Sequence, residues 1–179
     1  MDPRKRFLLL GLAFAVFLVI SYVENMIFFG LLGSVLQNSF LAVAVLFAHN
    51  VLVVSLILLA MTFYVDLVVL GFFRREKYAS IVVDHPRTFA SVFAVVIVFL
   101  SILRGSSLLG GLIVENLPLI LFVSAPIALV EGYGIYLVIA KTLGRAISMK
   151  DLLYIYGIFL VAAVMEVGFI NMLKYFTTV

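Results

Sequence analysis

The chain has 179 residues, 66% hydrophobic and 12% charged, with a formal net charge of +3 and a mean hydropathy of +1.32. Soluble domains carry about 45–50% apolar and about 25% charged residues, so too little polar material is present to coat a globule in water. That excludes a soluble enzyme, a disordered tail and a nucleic-acid-binding module, in spite of the basic balance. The apolar residues come in long unbroken runs, not in alternation, which argues against an outer-membrane barrel and for helices in lipid. The fold class read from the sequence is all-α: a polytopic membrane helical bundle of about five transmembrane helices in one integral membrane domain over 1–179. There is no cysteine and only two histidines, so disulfide and thiol chemistry are impossible, and neither a metal site nor a cofactor is expected. Trp is absent, and any interfacial aromatic belt falls to the 8 Tyr and some of the 17 Phe.

A helix rises 1.5 Å per residue, so a span of roughly 30 Å of hydrocarbon takes about 20 residues. The first apolar run, 7–23, follows Arg4, Lys5 and Arg6 in the manner of a signal peptide. Tyr22 and Val23 stand where such a peptide needs small residues, so the run is read as a retained span. Val23–Ser39, with Gly30, Gly33, Gln37 and Asn38, is too apolar for a free loop and reads as a segment lying in the outer interface. The second span is placed at 40–73. Arg74–Thr88 is the main soluble connection, with Asp84 as an N-cap and His85-Pro86 opening the third span at 88–104. The glycines Gly105, Gly110 and Gly111 predict a re-entrant turn over 105–116. In the fourth span, 117–143, Glu115-Asn116 mark the start. Pro118 and Pro126, followed by Gly132 and Gly134, predict a kinked or broken helix in the protein interior. The fifth span is 152–174, with Asn171 and Lys174 at its outer end.

Basic residues favour the cytoplasm. The N-terminal cluster and Arg74, Arg75, Lys77 and Arg87 satisfy that rule if two crossings separate them, and Lys141, Arg145 and Lys150 fall on the same side after the fourth span. Ten of the twelve basic residues are then cytoplasmic, with the N-terminus inside. The location read from this is the plasma membrane, multi-pass.

Ionisable groups inside a membrane are costly and mark candidate sites. His49 and Asn50 lie about 14 Å from the outer end of the second span. Glu131 and Glu166 count to a similar middle depth on the fourth and fifth spans. The functional reading is a binding site or polar core of His49, Asn50, Glu131 and Glu166, able to hold a proton, a cation or a polar headgroup. The plainer reading is hydrogen-bonding glue between helices. Asp66, near the inner boundary, reads as an interfacial partner of Arg74 or Arg75.

Several residues taken together resemble the stage II sporulation protein M family: Gly105-Ser-Ser-Leu-Leu-Gly110, Leu117-Pro118, Pro126-Ile-Ala-Leu-Val-Glu131 and Leu143-Gly144. Pro126 and Glu131 keep that family's five-residue Pro-to-Glu spacing, while Ile127 and Ala128 stand where it has His and Gly. His49-Asn50 looks like the family's paired asparagines, and Glu166 is similar to an acid in its last helix. The likeness covers mainly 105–170 and part of the second span, with 64–87 as an insertion. It implies a helical membrane protein with no established enzymatic activity. In spore-formers the named member resembles a scaffold for peptidoglycan hydrolases.

The expected function is thus a non-enzymatic membrane scaffold or membrane-organising component. Its expected partners are lipids, a second copy as homo-oligomer with a dimer favoured, and other membrane proteins. The alternative is a small oligomeric transporter or channel moving a proton, cation or polar solute past the mid-membrane carboxylates. No catalytic residue is assigned, because no rhomboid, zinc-protease or prenyl-protease motif is present.

Overall fold

A computed structural model describes residues 3–70, 81–108 and 117–177. These form α1 (Pro3–Val35), α2 (Ser39–Val69), the single turn α3 (Ile81–Asp84), α4 (Pro86–Leu108), α5 (Leu117–Leu143) and α6 (Met149–Thr177). No strand occurs among the described residues. Three stretches among them are long and apolar enough to cross a membrane: Ser39–Val69, Ser124–Leu143 and Met149–Met172. Leu8–Glu24 and Pro86–Phe99 are shorter apolar helical stretches. Large apolar side chains such as Leu8, Phe40, Val95, Leu153 and Val161 point outward, which water would penalise and lipid does not.

Helix ends explain most differences from the sequence reading. The interfacial segment expected over 23–39 is instead the last three turns of α1, which runs 33 residues without a break. In lipid an interrupted helix leaves carbonyls unpaired, and Gly30 and Gly33 alone do not stop it. The chain reverses in Leu36–Asn38, where the Asn38 side chain caps α2 by accepting from the N–H groups of Phe40 (3.1 Å) and Leu41 (3.2 Å). The second helix ends at Val69 instead of Phe73, with Leu70 as its C-cap, and Arg74, Arg75 and Lys77 lie outside the described residues.

Asp84 closes α3 and is not the cap of the next helix. The His85 carbonyl accepts the first bond, from Phe89 N–H at 3.1 Å, and Pro86 takes the first helical position, where its missing N–H costs nothing. Gly105 continues α4 to Leu108, so the expected re-entrant turn does not begin there; its remainder, 109–116, lies outside the described residues, as do Glu115 and Asn116. The fourth span is not broken: α5 is continuous for 27 residues with Pro118 and Pro126 inside it. Pro126 is exposed and not interior, so its ring stands on the outward face instead of displacing core side chains.

The α5–α6 connection is closed at both ends by its own hydrogen bonds. Arg145 (φ 54) terminates α5 as a left-handed C-cap, with Arg145 N–H donating to Thr142 O and Ala146 N–H to Lys141 O. Ser148 and Asp151 then form a reciprocal capping box at the head of α6. Ser148 N–H donates to Asp151 Oδ2 at 2.9 Å and Asp151 N–H to Ser148 Oγ at 3.2 Å.

Contacts between helices fix their directions. The Phe63 ring fills the space above Gly11 and stacks with Phe14, so α1 and α2 form a long antiparallel hairpin. Asn171 Nδ2 donates to Ser39 Oγ at 2.9 Å, and about four turns further in Ser55 Oγ meets the Tyr156 hydroxyl at 3.4 Å. Hence α2 and α6 are antiparallel. Gly134 against Phe159 and Lys141 against Asp151 make α5 and α6 antiparallel as well. One core cluster, with Val65, Ala90, Leu143 and Ile155, gathers the C-terminal end of α2, the start of α4, the end of α5 and the start of α6. The other, with Val35, Ala42, Leu46, Ala163 and Val167, lies toward the α1–α2 turn. The N-terminus of α1 and the basic α5–α6 connection therefore share one end of the bundle.

Candidate functional site

The middle of the α1–α2 hairpin holds the best-defined polar contact. His49 is 3% exposed, and its Nδ1 lies 3.0 Å from both Oε1 and Oε2 of Glu24. A hydrogen bond there needs one proton between ring and carboxyl group, carried on Nδ1 or on the acid. In the sequence reading Glu24 falls in the interfacial segment 23–39 and is not among the candidate site residues. Because α1 continues past it, Glu24 sits about 16 Å below the α1–α2 turn, level with His49 at about 15 Å. Counting residues back from Asn38 along an unbroken first helix is the signal that would have found it.

The remaining predicted residues fall around this pair. Asn50, beside His49 on α2, is buried, and its Nδ2 has no hydrogen-bond partner among the described residues. Glu131 is 9% exposed, on the same face of α5 as the buried Ala128 and Ile135. Glu166 is half-buried on α6. Both glutamates are engaged in interactions within the protein. Carrying the α2–α6 and α5–α6 contacts inward, the level of His49 falls near Ala162 on α6 and near Glu131 on α5. Glu166 lies about 7 Å nearer the turn end. The carboxylate that lies 3.0 Å from His49 Nδ1 is that of Glu24.

The two glycines predicted on the fourth helix are packing positions. A Cβ at Gly132 would collide with Val98 Cγ2 of α4, and one at Gly134 would lie 2.6 Å from Phe159 Cε2 of α6. Val98 of α4 and Phe159 of α6 thus press against the α5 backbone one and three residues beyond Glu131. Pro118 belongs to the first turn of α5, where proline is well tolerated. Thr142, buried near the other end of α5, has an Oγ1 without a partner among the described residues.

Two further polar groups are spent on the helices themselves. Ser55 and Thr62 hydroxyls donate to Val51 O and Leu58 O, each at 2.7 Å. Among the described residues, no three His, Asp or Glu side chains gather as a metal site requires. No protein-family model, curated protein or solved structure matches the chain.

Proposed function

We propose that the chain is a non-enzymatic, multi-pass membrane protein that acts as a scaffold, crossing the bilayer five times with its N-terminus in the cytoplasm. The observation that carries this reading is the Glu24–His49 pair: a part-buried polar contact joins two helices of the same hairpin. Groups used in this way fix the shape of a bundle in lipid. The engagement of Glu131 and Glu166 and the tight α4–α5–α6 packing at Gly132 and Gly134 support the same view. The outward apolar faces suit lipid and other membrane proteins as partners, with a homodimer as the assembly. Kinship with the stage II sporulation protein M family is part of this proposal, resting on the Pro126-to-Glu131 spacing.

A second reading is favoured by one specific observation. Asn50 Nδ2 is buried and has no hydrogen-bond partner among the described residues, at the level where His49, Glu24 and Glu131 lie, as a donor reserved for a polar solute or cation-bound anion would be. In this reading the protein is a small oligomeric transporter or channel. Replacing Glu131 and Glu166 together by Gln and measuring proton and solute flux in proteoliposomes separates the two. The scaffold reading expects no wild-type flux above protein-free vesicles and a variant that folds or assembles poorly. Flux in the wild type that disappears in a normally folded variant overturns it.

A further inference from the structure

The α5–α6 hairpin carries a surface feature that neither reading uses. An open, apolar groove of about 670 Å³ runs between the two helices on their outward face. One wall is a stripe of α6: Leu153, Tyr154, Gly157, Ile158 and Val161. Their spacing places them on one helical face, and Lys150, exposed, stands one turn before Leu153 on that same face. The other wall comes from Leu129, Val130 and Tyr133 of α5, a face that reaches Lys141 two turns beyond Tyr133. The floor is open at Gly157, where an added Cβ would meet nothing within 4 Å.

Chemistry changes sharply along this groove. Its length, from about 6 to about 18 Å below the head of α6, is apolar. Its mouth is cationic, with Lys150 and Arg145 exposed. Lys141 also stands there, 3.3 Å from Asp151 Oδ1. Three basic groups against one acid leave a net positive rim. At the head of α6 the Asp151 N–H already donates to Ser148 Oγ and the Ser148 N–H to Asp151 Oδ2, and the basic side chains of Lys150 and Arg145 supply the attraction. An apolar slot of acyl-chain depth under a positive rim matches an amphiphile with an anionic head.

We propose that this groove is a site for an anionic phospholipid, its phosphate at Lys150 and Arg145 and one acyl chain along Leu153–Val161. The site rests on the membrane-spanning reading of the chain but not on the scaffold role. Basic residues at a membrane surface favour anionic lipid by roughly fivefold each, and a filled slot orders the chain within it.

The test is electron spin resonance of the full chain in phosphatidylcholine vesicles, with trace phosphatidylglycerol or phosphatidylcholine spin-labelled in mid-chain. The motionally restricted component should favour phosphatidylglycerol by about 25-fold, roughly fivefold for each of Lys150 and Arg145, and Lys150→Glu, which cancels Arg145, should bring the ratio close to one. Gly157→Leu, whose Cβ meets nothing within 4 Å, puts a side chain on the floor and should reduce the restricted phosphatidylglycerol while Lys150 is intact. Equal restriction of the two lipids by the wild type, or a selectivity indifferent to Gly157→Leu, overturns the proposal. So does efficient disulfide dimerisation of Gly157→Cys, because the occupant is then a second copy; the absence of native cysteine makes that readout clean. Extraction of the wild type by alkaline carbonate would overturn the membrane reading itself, a failure separate from loss of lipid selectivity.

Discussion

Glu24 shows how a single residue's meaning depends on where a helix ends. In a loop it would be a solvated acid; on an unbroken α1 it faces His49 at 3.0 Å. Removing one member of this part-buried pair loses the contact at a cost of about 1–3 kcal/mol. Glu24→Ala and His49→Ala are each expected to destabilise the protein by that amount in reversible unfolding from mixed micelles. The double variant should cost less than the sum, with a coupling of at least about 0.5 kcal/mol. Strict additivity would mean that the pair does not stabilise the hairpin. Depth counting in the sequence points to His49, Asn50, Glu131 and Glu166 because helix rise is uniform. It passes over Glu24 because a glycine-containing, mixed-polarity stretch looks like a boundary when read without its neighbours.

Among the elements, the helices themselves are legible because apolar runs in lipid have few alternatives to helix. Their ends are less so. Hydropathy marks where a segment leaves hydrocarbon, whereas the hydrogen-bonded backbone continues until a cap stops it, at Asn38 or at the Ser148–Asp151 box. The glycines divide in the same way: composition locates them, and only packing says which are needed. At Gly134 a side chain would meet the ring of Phe159, itself 2% exposed and unable to withdraw. Gly134→Leu is therefore expected to cost at least about 1–3 kcal/mol through overpacking. Gly157 faces open space, so Gly157→Ala should be neutral or stabilising by up to about 1 kcal/mol, the usual helix preference. Unfolding both variants under the same conditions checks the opposite signs, and equal effects would show that the α5–α6 approach is not close.

For the whole molecule, charge and contact geometry bear on one question from independent directions. Basic residues in the sequence group the N-terminus with the stretch after the fourth span. Helix contacts place the start of α1, the end of α2 and the α5–α6 connection at one end, because α1–α2, α2–α6 and α5–α6 are each antiparallel. The α1–α2 turn and the end of α6 meet at the other, where Asn171 reaches Ser39. A bilayer around this bundle must leave those two ends on opposite sides. On the proposed topology, the positive-inside rule puts the basic end in the cytoplasm. The chain has no cysteine, so single cysteines report cleanly. Asn38→Cys and Lys150→Cys, labelled in intact cells with an impermeant maleimide, should differ: Asn38→Cys reacts from outside, and Lys150→Cys only after permeabilisation. Labelling of both from one side would break the arrangement, since Asn171 meets Ser39 and the rise of α6 from Lys150 to Asn171 separates the two positions by about 32 Å.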